Sequence, residues 1–417
     1  MNFQPPSKSL TSRDYQFIAL VIVLLLALST FLINLNLKLK GGGDFYVHWV
    51  ASRGFVFDQI DPYSGEVSAR VQQLAYEGPA QIGDEPFILD TPFHILLLYF
   101  PISLLPDPHL ARAIYTLFLE LALFVLAILS LRLTDWEVPR VFAILFVFIA
   151  IFNYYAFQAV YEASPVILLG LLYAEILLTL RVEEDELAGA LLAVSFYYWE
   201  VGAPFIFLVA LRCYYEKRTR VFSGFFMAGL VLAIISFLAY PNWIIPFLRA
   251  TTNNLRADFG YSIRSVLTHF LPSQGGFVSW ALIVTLLIAL IYEWSLARKG
   301  DLRRFYWSAC LSLAAAPLLG FRTEMEHLSI LVIPLALIFA IVHNRWYKFG
   351  NVLTLLLLTL VFLIPWAAYI FILPRFGKIA LDLIFFFLPF FTVIGLYWIR
   401  WWALRPPRTW QDLANQL

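Results

Sequence analysis

Asp44 and His48, two side chains able to exchange protons, stand one helical turn apart behind a run of three glycines, Gly41, Gly42 and Gly43. Asp61-Pro62-Tyr63 follows, then Asp90, Pro92 and His94. Glu162, Glu200, the arginines Arg249, Arg256 and Arg264, and the group Arg322, Glu324, Glu326 and His327 complete the polar set. A carboxylate can take the proton of an acceptor hydroxyl as general base. Arginine and histidine can hold a phosphate as charge builds on it. Where the leaving group is a phosphate, it departs as a stable anion, so one carboxylate suffices in place of the paired carboxylates of a glycosidase. Plainer roles stand beside these. Asp44 could cap the helix that follows, with the glycines a flexible exit. His48 could be a satisfied interface histidine, Arg249, Arg256 and Arg264 headgroup anchors, and Glu162 and Glu200 structural groups at helix ends.

The elements that must carry these residues are set by a lipid-like composition. The chain has 417 residues, 61% hydrophobic and 14% charged, where soluble chains carry about 25% charged residues. Its mean hydropathy is +0.78. Apolar runs fall near 17–37, 108–131, 141–160, 164–180, 187–201, 203–215, 221–240, 277–297, 304–320, 327–343, 350–372 and 379–400. They predict an all-α polytopic membrane protein of about 12 crossings, several of them short. The first run has no small-residue cleavage site at its end and is expected to stay as an anchor. The basic loops "CYYEKRTR" and "ARKGDLRR" then fall on the side of the N-terminus. By the positive-inside rule that side is cytoplasmic, and both termini lie there. The stretch "FHILLLYFPISLL" at 93–105 is too short to cross and is expected to be re-entrant or interfacial. Two long extracytoplasmic loops, 38–107 and 241–276, remain within a single integral membrane domain. Cys213 and Cys310 sit in apolar runs and are expected to be inert thiols. No basic cluster interleaves with stacking aromatics, which sets nucleic acid aside. "DQID" at 58–61 has weak metal-ligand potential, and no metal is assigned.

The polar set therefore collects at the extracytoplasmic ends of the helices. Outside the cytoplasm there is no nucleotide sugar, and no Walker-type loop is present; Gly41 to Gly43 run into an aspartate, which repels phosphate. An enzyme working there needs an activated donor that is itself a lipid, and a sugar on a polyprenyl phosphate fits.

Several stretches carry a family likeness in their order along the chain. They are "GGGDFYVHW", "DPY" at Asp61 to Tyr63, "DTPFHILLLYFPISLLPDPHLARAIY" from Asp90 to Tyr115, and "APLLGFRTEMEHLSILVIPL" from Ala316 to Leu335. Together they resemble the GT-C superfamily of polytopic glycosyltransferases, specifically glycosyltransferase family 87, which includes polyprenyl-phosphate-mannose-dependent mannosyltransferases. The resemblance implies a GT-C-type fold with a large first outer loop, Asp44 as catalytic base, His327 near the donor phosphate, and inversion at the sugar by direct displacement. Arg322, Arg256, Arg264, His48, Tyr63, His94 and Glu200 are the further expected substrate-binding residues. The chain departs from the family pattern at Thr91-Pro92, at "YEASP" at the start of the fourth apolar run, and at Glu200, where a basic residue is common. Expected partners are the polyprenyl-phosphate sugar, a lipid or glycan acceptor, and membrane lipids; no cofactor is expected. The rival classes are a secondary transporter or lipid flippase, and an inactive scaffold of a surface-glycan pathway. The transporter class lacks here the paired, interrupted helices in matching halves that it often shows.

Overall fold

The computed structural model describes residues 12–81, 84–134, 136, 138–256, 260–346 and 349–405; the Arg256 side chain lies outside the described residues. Among the described residues the regular structure is helical, with one isolated β-bridge between Tyr261 and Thr323. Helix α1 (Ser12–Lys38) ends in a glycine turn, and α2 (Gly43–Arg53) sets off at 93° to it. A long loop then carries α3 (Gly65–Tyr76) and α4 (Phe93–Ser103). The bundle continues through α5 (Pro108–Leu133), α6 (Arg140–Phe152), α7 (Tyr154–Tyr161), α8 (Val166–Arg181), α9 (Asp185–Val194), α10 (Trp199–Tyr215) and α11 (Thr219–Ala239). A second long loop holds α12 (Ile244–Arg256) and α13 (Ile263–Phe270). The chain closes with α14 (Gly275–Ala297), α15 (Leu302–Ala315), α16 (Val332–Arg345), α17 (Gly350–Ala367), α18 (Leu373–Phe376) and α19 (Lys378–Ala403).

Local signals explain the boundaries. Pro108 opens α5, where a missing amide hydrogen costs nothing, and Asp107 Oδ1 accepts the His109 N–H at 2.9 Å. Asn153 ends α6 and restarts the chain as α7: its Oδ1 accepts the N–H groups of Tyr155 and Ala156, both at 3.0 Å, at a bend of 48°. Ser262 and Ser265 form a reciprocal capping box at the start of α13.

Six helical stretches are long and apolar enough to cross a bilayer, or eight if each bent pair forms one span. The six are Pro108–Leu133, Thr219–Ala239, Gly275–Ala297, Glu326–Arg345, Gly350–Phe376 and Lys378–Ala403. The bent pairs join α1 to α2 and α6 to α7. The chain is thus an all-α, multi-pass membrane protein. The apolar runs at 164–180, 187–201, 203–215 and 304–320 form α8, α9, α10 and α15, of 16, 10, 17 and 14 residues. The stretch at 93–105 forms the 11-residue α4, packed against α2.

Of the six candidate spans the one containing α16 is the most enclosed, with α5, α15, α17 and α19 around it. Helices α11 and α14 instead present apolar side chains outward, Leu238 and Phe277 each 80% exposed, as lipid-facing helices do. At one end of the bundle Arg212 donates to the Ala297 and Gly300 carbonyls, which joins the two basic loops flagged in the sequence. At the other end, where α1 passes into α2, the chemically able residues gather.

Candidate active site

The turn between α1 and α2 is built, not slack. Arg112 of α5, 4% exposed, donates to the carbonyls of Gly41 at 2.7 Å, Asn36 at 2.6 Å and Leu39 at 2.5 Å. Gly41 and Gly42 have φ of +98° and +93°, where a side chain is strained. A Cβ on Gly41 would also lie 2.6 Å from Tyr161, and one on Gly42 2.3 Å from Arg112 Cδ. The idea of a flexible glycine exit is corrected accordingly.

Asp44 is not the cap of α2. The N-cap position is Gly42, and Glu162 Oε2 accepts the Gly43 N–H at 3.0 Å. Glu162, from the far end of α7, supplies the negative charge that the helix start favours. Asp44 is left in the first turn with other work to do: Ser164 hydrogen-bonds its carboxyl group, while Oδ2 is buried with no partner.

Two chain segments bring acids to Asp44. Glu85 comes from the loop before α4; Glu324, Glu326 and His327 come from the segment leading into α16. Ligand atoms of Asp44, Glu85 and Glu324 lie within 4.8 Å of one another, and so do those of Glu324, Glu326 and His327. Glu324 belongs to both groups. Two unit charges 4.8 Å apart repel by about 3.5 kcal/mol at an effective dielectric of 20. These carboxylates therefore cannot all be bare and ionised. Burial pushes the Glu85 and Glu324 carboxyls well above the usual range; the charges of Glu324 and Asp44 push Glu85 further, and those of Glu326 and Asp90 push Glu324. Burial likewise raises Glu162, against its backbone hydrogen bonds and the pull of Arg112. Either set of three could share protons or hold a divalent cation.

The other expected residues divide. His327 is 6% exposed; its Nδ1 accepts the Glu324 N–H at 3.3 Å and its ring lies 5.1 Å from that of Tyr198. His48 is buried at 3% and both its nitrogens are engaged, Nδ1 with the Asp44 carbonyl at 2.8 Å and Nε2 with Thr91 Oγ1 at 3.1 Å. It stacks on Tyr99 and acts as a brace under Asp44. Tyr63 donates to the Thr91 carbonyl at 3.0 Å, so "DPY" and Thr91 support the same wall. His94 is half-buried on α4, and Glu200 half-buried in the first turn of α10, within range of the Asp90 charge. Arg322 is half-buried beside Thr323, whose backbone pairs with Tyr261 at 2.8 Å in both directions. Arg249 and Arg264 are exposed on the second long loop.

Four features escape a reading of the sequence. Arg112 looks like one more loop-side arginine, and Glu85 like a surface acid. Ser164 is a small residue inside "YEASP". The fourth is a contact between His269 Nδ1 and Asp382 Oδ2 at 2.5 Å, which ties α13 to α19. Its one signal is an aspartate, 1% exposed, inside the apolar run "KIALDLIFFFL". Below it, between α16, α17 and α19, runs an apolar groove of about 510 Å³ lined by residues such as Leu357, Ile364, Leu383, Phe386, Phe390 and Ile394. No family model, no curated protein and no solved structure matches the chain.

Proposed function

We propose that the chain is a membrane glycosyltransferase of the GT-C type. It moves a sugar, mannose or another hexose or pentose, from a polyprenyl-phosphate donor to a hydroxyl of a lipid or glycan acceptor. The site faces the extracytoplasmic side of the cell membrane and both termini lie in the cytoplasm. The meeting of the two basic loops at the opposite end of the bundle supports that orientation. The observation that carries the reading is Asp44. Glu162 releases its carboxylate from capping, His48 holds its backbone carbonyl, and Oδ2 is buried without a hydrogen-bond partner.

In the step this supports, the acceptor hydroxyl gives its proton to Asp44 as its oxygen attacks the anomeric carbon. The bond from that carbon to the phosphate oxygen breaks, and its electron pair leaves with the polyprenyl phosphate. The attack comes from the face opposite the leaving group, so the configuration inverts. His327, with Arg322 close by, is the group expected to face the departing phosphate. The apolar groove beside α17 and α19 suits an isoprenoid tail.

The test is transfer of radiolabelled mannose from polyprenyl-phosphate-mannose to membrane-lipid acceptors by the purified chain in nanodiscs, with other polyprenyl-phosphate sugars run in parallel. Asp44→Asn is expected to lower turnover by about 10²–10⁴-fold, the usual worth of a general base, while still retaining donor. A wild-type chain that transfers none of the panel, or an Asp44→Asn chain as active as wild type, ends the reading.

A further inference from the structure

The groups around Glu324 fall into two sets that differ in what they can bind. In the set nearer α2, Asp44 and Glu85 offer oxygen alone and remain partly open. In the set leading into α16, two carboxylates meet an imidazole. Glu326 is 7% and His327 6% exposed, and the ligand atoms of Glu324, Glu326 and His327 lie within 4.8 Å of one another. Ligands opposite each other across an ion, each bonded at roughly 2.0–2.4 Å, are separated by about that much.

A second observation at this place is the ring of His327. Its Nε2 is buried with no hydrogen-bond partner. Its Nδ1 has only the 3.3 Å contact from the Glu324 N–H, beyond the usual range for such bonds. The lone pair of this ring is thus spent on little, in a residue that is almost wholly buried. A buried imidazole normally has its nitrogens satisfied, as His48 does a few residues from Asp44.

We propose that Glu324, Glu326 and His327 hold one divalent cation, with the remaining coordination positions open to an oxygen of the substrate. The oxygen-rich set with one imidazole suits a Mn²⁺-like ion better than a thiophilic one. Asp44 stays outside the ligand set, joined to it only through Glu324, and so keeps its lone pairs for a proton. The cation also changes what the acid cluster can accept. Four carboxylates would repel a phosphate, whereas an ion with open positions presents it with positive charge. The site is one that spacing along the chain hides: "DQID", the stretch with metal-ligand potential in the sequence, contributes Asp58 to an exposed ion pair with Arg70 instead.

The experiment uses the full chain in detergent, stripped with chelator and titrated with Mn²⁺ alone, with free Mn²⁺ read by electron paramagnetic resonance. One saturable ion per chain is expected. Pulsed measurements on the bound ion should show coupling to an imidazole ¹⁴N. His327→Gln should abolish that coupling, and Glu326→Gln should weaken binding by about tenfold or more, the usual effect of losing a charged ligand. Asp44→Asn should bind Mn²⁺ as wild type does, so the cation site and the transferase reading fail separately. A melting curve for each variant shows whether the fold survives. Absence of a saturable site in folded wild-type protein overturns the proposal. So does a bound ion with no ¹⁴N coupling, or one indifferent to His327→Gln and Glu326→Gln in folded variants.

Discussion

Replacing Gly42 by alanine tests whether the first turn is a positioning device. Two costs can be worked from the structure. The backbone at Gly42 sits at φ +93°, and holding an ordinary residue in the left-handed region costs about 1–2 kcal/mol. The new methyl would also stand 2.3 Å from Arg112 Cδ. Arg112 could retreat only by loosening its bonds to Gly41, Asn36 and Leu39. A hydrogen bond from a charged group contributes about 1.5–3 kcal/mol, so losing even one brings the total to roughly 3–5 kcal/mol. Gly65 is the control: it opens α3 with open space where a Cβ would go. There alanine should be neutral or slightly stabilising. The assay is thermal unfolding in one detergent, followed by intrinsic fluorescence. Gly42→Ala should melt roughly 3–6 °C below wild type, and Gly65→Ala within about 1 °C of it. If Gly42→Ala melts with wild type, the turn is slack, and Asp44 is not held where the chemistry requires.

The cap of α2 gives a second test. Glu162→Ala leaves the Gly43 N–H without its acceptor and should cost about 1–2 kcal/mol of stability. It should also lower transfer by more than its effect on melting, because Asp44 rides on the first turn of α2; unchanged turnover would remove Glu162 from the site. At the opposite end, Arg400 makes a two-pronged pair with Glu293, at 2.9 and 3.0 Å. Glu293 is 2% exposed. Glu293→Ala leaves a partly buried guanidinium over Trp307 and should cost about 3–5 kcal/mol, visible as a lowered melting midpoint with donor binding intact. A variant that melts like wild type would mean that water already satisfies Arg400.

Much of this architecture was readable because lipid imposes a coarse rule. Apolar runs must be helices, and most of those marked in the sequence are. Their lengths as crossings were less readable: α9 and α10 read as two adjacent spans, yet α9 is a 10-residue helix packed closely on α11. Periodicity reports that a face is apolar, not whether lipid or another helix covers it. In the site, Asp44 could be singled out because a charge beside apolar runs stands out, and His327 through the family likeness of its stretch. Arg112 could not, because its function is to hold three carbonyls 71 to 76 residues away in the chain. Glu85 could not either, since a loop acid gains meaning only when folding sets it beside Glu324.

The two ends of the bundle handle charge in opposite ways, and that contrast bears most directly on function. Where the basic loops meet, acids find arginines: Asp185 pairs with Arg218 and Glu216 with Arg212, and Glu293 is gripped by Arg400. Where α1 turns into α2, acids find one another. Glu162 spends its charge on a helix start, and Arg112 spends its own on backbone carbonyls. Asp44 and Glu85 are left grouped with Glu324, which stands with Glu326 beside a poorly partnered imidazole. Grouping like charges weakens the fold, and stability alone gives no reason to do it. Chains keep such arrangements where a ligand completes them. The free chain should therefore be stabilised by whatever fills the cluster, by RT ln(1 + [L]/Kd) for a single site. Saturating Mn²⁺ should raise the melting midpoint of wild type and of Asp44→Asn, and leave that of His327→Gln in place. Equal stabilisation of all three would mean that the ion binds elsewhere, and that protons alone hold the cluster together.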